Sequence, residues 1–256
     1  GSINGGDLDA ANALNLDGGN IAVGVVSADN INFTSATDIR FDAITSPNAV
    51  MLTAANGLIG KNTGSGDINS GGDILLSSQS VDVGNLISGG NILATITLSD
   101  AAFGLLDATG SVSVTGAGAL AVDRVTSGTS TSLTGTSVTL NSGTIGTDLS
   151  LSATAGDIDG NGTITVGGAI DFDASGNIGF GDLTANGGAF AVDAGDDINF
   201  TSATSTNSID MTAAGSINGG DLDAANALNL DGGNIAVGVV SADNINFTSA
   251  TDIRFD

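Results

Sequence analysis

Cysteine, histidine, tryptophan, tyrosine and glutamate are all missing from this chain of 256 residues. Without cysteine there are no disulfide staples and no thiol chemistry, although the compartment stays open. Without histidine, Ser-His and Cys-His nucleophiles are excluded, and of the usual general acids and bases near neutral pH, His, Glu and Lys, only Lys61 is present. Cations are few: Arg40, Lys61, Arg124 and Arg254 stand against 28 acidic residues, all Asp, for a net charge of −24. That charge repels phosphate and argues against a nucleic-acid partner. Scarcity of Glu, Lys and Gln argues against a helical protein. No run of about 18 apolar residues exists, so membrane insertion of this segment is not expected, and no signal-peptide pattern is present.

What remains is Gly (40 residues), one Pro and much Ser, Thr, Asn and Ala, with hydrophobic residues at 41%. A chain this apolar and this regularly patterned is not a disordered one. Two periods are visible. Residues 1–42 return letter for letter as residues 215–256, a period of 214. Gly1-Ser2 reappears internally as Gly215-Ser216, so it belongs to the repeat. Inside that period a shorter one is marked by alternating apolar anchors: Ile31-x-Phe33, Val50-x-Leu52, Ile74-x-Leu76, Ile92, Val112-x-Val114, Leu133, Leu149-x-Leu151, Ile170-x-Phe172, Phe190-x-Val192, Ile209-x-Met211, Leu228-x-Leu230 and Ile245-x-Phe247. Eleven steps of mostly 17 to 21 residues, with a longer one near 24 after Val50, average about 19 to 20. That is the rung length of a β-solenoid.

Each rung carries a second alternating pair after a Gly-rich polar corner, such as Ile178-x-Phe180, Ile198-x-Phe200, Ile235-x-Val237 and Ile39-x-Phe41. Strict alternation implies strands with one buried and one wet face, joined by turns of Gly, Asn, Asp and Ser. Rungs about 4.8 Å apart then form parallel sheets. The expected fold is all-β, a parallel β-helix of about 11 rungs per repeat. The general hand of parallel crossovers favours a right-handed coil. Residues 1–256 are expected to be one continuous solenoid segment of a tandem array. One interior column should run Ile170, Phe190, Ile209, Leu228, Ile245, and another should stack Phe180 on Phe200. A polar column should run Asn177, Asp197, Ser216, Asn234, Asp252, with Ser216 and Asn234 keeping the carboxylates apart. NINFTSAT (30–37) and DINFTSAT (197–204) fall in different strands of their rungs under this phasing.

Chemistry-bearing motifs are sparse. DIDGNGTI (157–164) matches the opening of a calcium loop, with Asp157, Asp159 and Asn161 at alternate positions and Gly162 at the turn, but Gly168 stands where a closing carboxylate is needed. A β-turn rich in Asp, Asn and Gly explains the same letters, so no metal ligand is assigned. Arg124 beside Asp123, and Arg40 between Ile39 and Phe41, are the places to look for polysaccharide chemistry. No aromatic platform accompanies them, so no catalytic residue and no cofactor are assigned. Threonine pairs such as Thr95-Ile96-Thr97 and Thr163-Ile164-Thr165 do not recur at one position in successive rungs, which sets aside an ice-binding face.

Gly-Gly turns leading into alternating strands, as in GGAIDFDASGNIGF (167–180), GGAFAVDAGDDINF (187–200) and GGDILLSSQSVDV (71–83), resemble the large exoproteins of the filamentous-hemagglutinin type. The resemblance spans the whole chain in pattern and composition. It implies a right-handed parallel β-helix displayed outside a Gram-negative-like bacterial cell as a fibre, adhesin or stalk. The expected role is mechanical: the shaft of an extracellular or cell-surface filament, not an enzyme. Its partners would be adjacent repeats stacked end to end, together with other filaments or cell surfaces. An adhesin shaft binding calcium or glycan through Asp-rich corners is the alternative, and a polysaccharide-acting β-helix a more distant one.

Overall fold

The computed structural model describes residues 1–255, and among them there is no helix: 29 strands, paired in parallel, account for the regular structure. The chain divides into two compact units, Gly1–Gly128 and Thr129–Asp256. Each is a β-solenoid built from rungs of the predicted length.

In the first unit the first strand of successive rungs stacks Leu14, Ile31, Val50, Ile74, Ile92 and Val112 in register. In the second unit the corresponding column is Thr131, Leu149, Ile170, Phe190, Ile209, Leu228 and Ile245. The expected interior column is therefore present. One anchor needs correcting: Leu133 pairs with Leu151 in the second inward position, and buried Thr131 fills the first. A hydroxyl there interrupts the apolar pattern from which the anchor was read.

Alternation buries every second side chain. Strand Ile170–Ala174 reads buried, exposed, buried, exposed, buried, and Ile209–Ala213 repeats it. Burial of each large aliphatic or aromatic side chain stabilises the core by roughly 1.5–3 kcal/mol. Phe180 lies over Phe200 with ring centroids 5.4 Å apart and planes at 15°, as expected. Phe172 and Phe190 meet Phe180 at 6.3 and 5.9 Å, making one aromatic cluster inside the second unit. Above Phe200 the register places Gly219, where any Cβ would enter the ring's volume.

The six letters INFTSA occupy different strands in their two contexts. Ile31 and Phe33 stack under Val50 and Leu52 in the first strand, whereas Ile198 and Phe200 stack on Ile178 and Phe180 in the second. Position in the rung is thus set by what lies a rung away.

The longer step after Val50 ends in a loop, residues 62–66, that holds the one positive-φ residue among those described, Gly66. Asp42 of the preceding rung fastens it. Its Oδ1 accepts from Thr63 N (2.7 Å), Thr63 Oγ1 (2.9 Å) and Gly64 N (2.8 Å). These donors hold the Asp42 carboxyl below the usual carboxylate range, the Thr63 amide contributing most.

The duplicated segment folds the same way twice. Ile3 pairs with Ile21, Leu8 with Val26, Leu14 with Ile31 and Ile21 with Ile39. The corresponding pairs Ile217–Ile235, Leu222–Val240, Leu228–Ile245 and Ile235–Ile253 keep that register. Corner hydroxyls match as well. Ser35 Oγ donates to Gly19 O and Asp38 O, and Ser249 Oγ to Gly233 O and Asp252 O.

Candidate functional site

The aspartates were the residues most open to a functional reading, and the structure gives most of their corners one job. A carboxylate or amide on a short side chain accepts the backbone N–H that opens a strand in the next rung. Asp157 Oδ1 accepts from Asn177 N (2.7 Å), Asn177 Oδ1 from Asp197 N (3.2 Å), and Asp197 Oδ1 from Ser216 N (2.7 Å). A second staircase runs from Asp73 to Asn91 N (2.7 Å) and from Asn91 Oδ1 to Ser111 N (2.8 Å). Asp7, Asp38, Asp67, Asp100, Asp148 and Asp221 make the same bond to Val25, Leu58, Asn85, Ala119, Ala169 and Val239.

In every one of those steps except the bond to Asp197, the residue before the donating N–H is glycine. Gly176 precedes Asn177, Gly215 precedes Ser216, Gly90 precedes Asn91 and Gly168 precedes Ala169. A Cβ on any of these four would sit inside contact distance of the accepting Oδ1. Since Gly66 alone among the described glycines has a positive φ, these glycines are required for room, not for left-handed backbone. The polar column expected at this corner is present from Asn177 through Asp197 and Ser216 to Asn234, which pairs in register with Ser216. Its links run from side chain to backbone. Ser216 and Asn234 follow Asp197 in the column as expected, and Ser216 also donates through its backbone N–H.

The calcium-like motif resolves into this scheme. Asp157 is the foot of a staircase and also accepts from Asn177 Nδ2 at 3.2 Å. Asp159 and Asn161 lie exposed along strand Ile158–Val166. Gly162 lies in a bulge where residues 161 and 162 oppose one residue of the neighbouring strand, between the pairs Gly160–Phe180 and Thr163–Asp182. No group of three or more metal-ligating side chains is placed to hold a metal ion among the described residues.

The cations do not converge. Arg40 meets Asp38 at 3.5 Å, Lys61 meets Asp82 at 3.1 Å and Arg254 meets Asp252 at 3.9 Å, all at the surface. Arg124 lies exposed beside Asp123 in strand Leu120–Ser127.

Carboxylates do gather on one outward face of the second unit. Asp173 stands directly abreast of Asp193, and Ala191 separates Asp171 from Asp210. They border a depression of about 280 Å³. Like charges directly abreast destabilise the stack, so spacing between charges is not a general rule of this chain. Asp210 is relieved by Asn229, whose Nδ2 donates to its Oδ1.

A hydroxyl column escaped the sequence reading. Thr34, Thr53, Ser77, Thr95 and Thr115 occupy one outward position in five successive rungs of the first unit. Rungs of unequal length hide such a column from any fixed spacing; only the register reveals it.

Compared with known proteins, the chain matches no family model, no curated protein and no solved structure.

Proposed function

We propose that this chain is shaft: a structural segment of a long extracellular or cell-surface filament, or fibrous adhesin of the filamentous-hemagglutinin type, made of stacked tandem repeats. One observation carries the reading. The duplicated residues, as far as Phe255, adopt one register at both positions, so a repeat can follow a repeat with no change in pairing. In the first unit strand Val50–Lys61 covers Ile31 and Ile39, which are 2% and 0% exposed. Ile245 and Ile253, their copies, are 52% and 42% exposed. In an array the chain would continue after them with the sequence of 43–61, and that rung would cover them as it covers Ile31 and Ile39.

Staircase aspartates support a mechanical role. They connect rung to rung along the stacking direction, in parallel with the sheet hydrogen bonds. Charge on the exposed aspartates would keep neighbouring shafts apart in solution. The role is non-enzymatic and needs no cofactor.

Electron microscopy of producing cells, labelled with antibody to the repeat and examined with and without a calcium chelator, tests the proposal. Label should run along fibres that survive chelation. Fibres that dissolve would make the aspartates ligands, and label confined to soluble protein would overturn the shaft.

A further inference from the structure

Five successive rungs of the first unit present ten outward side chains on one face without a single charge. One column is Asn32, Met51, Leu75, Leu93, Ser113, and beside it runs Thr34, Thr53, Ser77, Thr95, Thr115. In a chain with 28 carboxylates this is a conspicuous exception. The other sides of the same unit carry Arg40, Lys61 and Asp82, or Asp67 and Asp107. Met51 and Leu93 are 40% and 44% exposed, and Leu75 between them is half-buried. Together with Thr53, Ser77 and Thr95 they border a shallow depression of about 170 Å³.

Both columns read the same in either direction along the stack. The first runs polar, apolar, apolar, apolar, polar; the second runs Thr, Thr, Ser, Thr, Thr. A two-fold axis lying along the middle strand, through Leu75 and Ser77, superimposes apolar on apolar and hydroxyl on hydroxyl. That is the self-complementarity an isologous contact demands. Electrostatics selects the same partner: two strongly acidic copies can approach only where neither carries charge, and this strip offers a charged ligand nothing to pair with.

We propose that this strip is a lateral docking site for a second copy of the chain, held antiparallel about the axis through Leu75 and Ser77. Met51 of each copy then faces Leu93 of the other, Leu75 faces Leu75, and Thr53 faces Thr95. Five rungs two side chains wide cover on the order of 300 Å² per copy, well below the roughly 800 Å² per partner of a stable complex. One strip therefore gives a weak contact. Where the repeat recurs, aligning one strip aligns all of them, and avidity supplies the rest. That last step rests on the shaft reading; the contact itself does not.

Absence of native cysteine makes site-directed cross-linking of the full chain specific. Facing sheets lie about 10 Å apart, beyond disulfide reach, so a short bismaleimide is the probe. Leu75→Cys should cross-link to itself. Met51→Cys should not, but should cross-link when mixed with Leu93→Cys. Ile87→Cys, exposed on another side, gives the background. Adding Leu75→Asp to the mixed pair puts two carboxylates on the axis. Yield should then drop more than about tenfold, with an unchanged melting midpoint showing that the fold is intact. Cross-linking of Leu75→Cys no better than of Ile87→Cys would overturn the contact, and self-linking of Met51→Cys would overturn the antiparallel arrangement. Protection of the strip by neutral oligosaccharide, with no cross-linked dimer, would assign it to glycan instead. Because these experiments read one face of the isolated chain, their failure leaves the fibre experiment standing, and the converse also holds.

Discussion

The fit between each staircase carboxylate and the glycine above it is open to a double-mutant cycle at Asp157 and Gly176. Asp157→Ala removes the acceptor of Asn177 N and Nδ2, bonds of 2.7 and 3.2 Å at an exposed corner. The expected loss is about 1–2 kcal/mol, the worth of two hydrogen bonds that water partly replaces. Gly176→Ala pushes a methyl group into Asp157 Oδ1, so the carboxylate must swing away and the same bonds are lost. The new Cβ also meets Gly156 O and C at 3.0 and 3.1 Å. That squeeze is offset by about 0.4–1 kcal/mol from the stiffer unfolded chain. Each single substitution should therefore cost about 1–2 kcal/mol, and the double substitution little more than either alone. Denaturant unfolding gives the three differences, and amide exchange at Asn177 localises them. Strictly additive costs, agreeing within about 0.5 kcal/mol, would refute the argument. So would a calcium-dependent rise in stability that vanishes with Asp157→Ala, because that would make the carboxylate a ligand first.

Two further outcomes follow from the geometry. Gly219→Ala should destabilise by about 1–3 kcal/mol through overpacking against the Phe200 ring, whereas Gly5→Ala, the same position in the first copy with nothing within 4 Å, should be nearly silent in thermal melts. The Asp42 carboxyl titrates below its ordinary value of 3.8 in the folded chain, so its contribution is present above that value and is lost as pH falls through the lower folded one. Amide exchange at Thr63 and Gly64 should accelerate in that acid window, and Asp42→Asn should flatten the dependence.

Much of the fold could be read in the letters because alternation is local. Ile170-x-Phe172 announces a strand, and the next pair about a rung later announces the stack. Thr131 shows where such reading stops: a buried hydroxyl at an anchor position looks like surface until the rungs beside it are known. The corners were less legible. Asp157-x-Asp159-x-Asn161 is equally a calcium-loop opening and a staircase foot followed by a bulge, and only the pairing of 158–166 with 178–185 separates them. The uncharged strip stayed hidden for a related reason, since Thr53 and Ser77 are neighbours only after the long rung has been closed by Asp42 and its loop.

The staircases also explain why the acids at these corners are Asp, and they separate what the fold needs from what the charge does. An oxygen one carbon beyond Cβ reaches an N–H one rung away, about 4.8 Å along the stack, and fits the space left by the glycine there. Glutamate would carry its oxygens past that point and cost side-chain entropy to fold back. Asn85, Asn91 and Asn177 occupy the same position and make the same bond, so the corner requires an acceptor and is indifferent to its charge. Asp197→Asn should then leave the melting midpoint nearly unchanged, while Asp197→Glu should lower it, the lost bond costing about 1 kcal/mol. Replacing several staircase aspartates with asparagine together should keep the fold and reduce the repulsion between chains. Light scattering at low salt should show stronger attraction in such a variant. If it melts far below the parent chain, the carboxylates contribute to the fold through their charge, and the division argued here between an uncharged requirement at the corner and a charged requirement in solution fails.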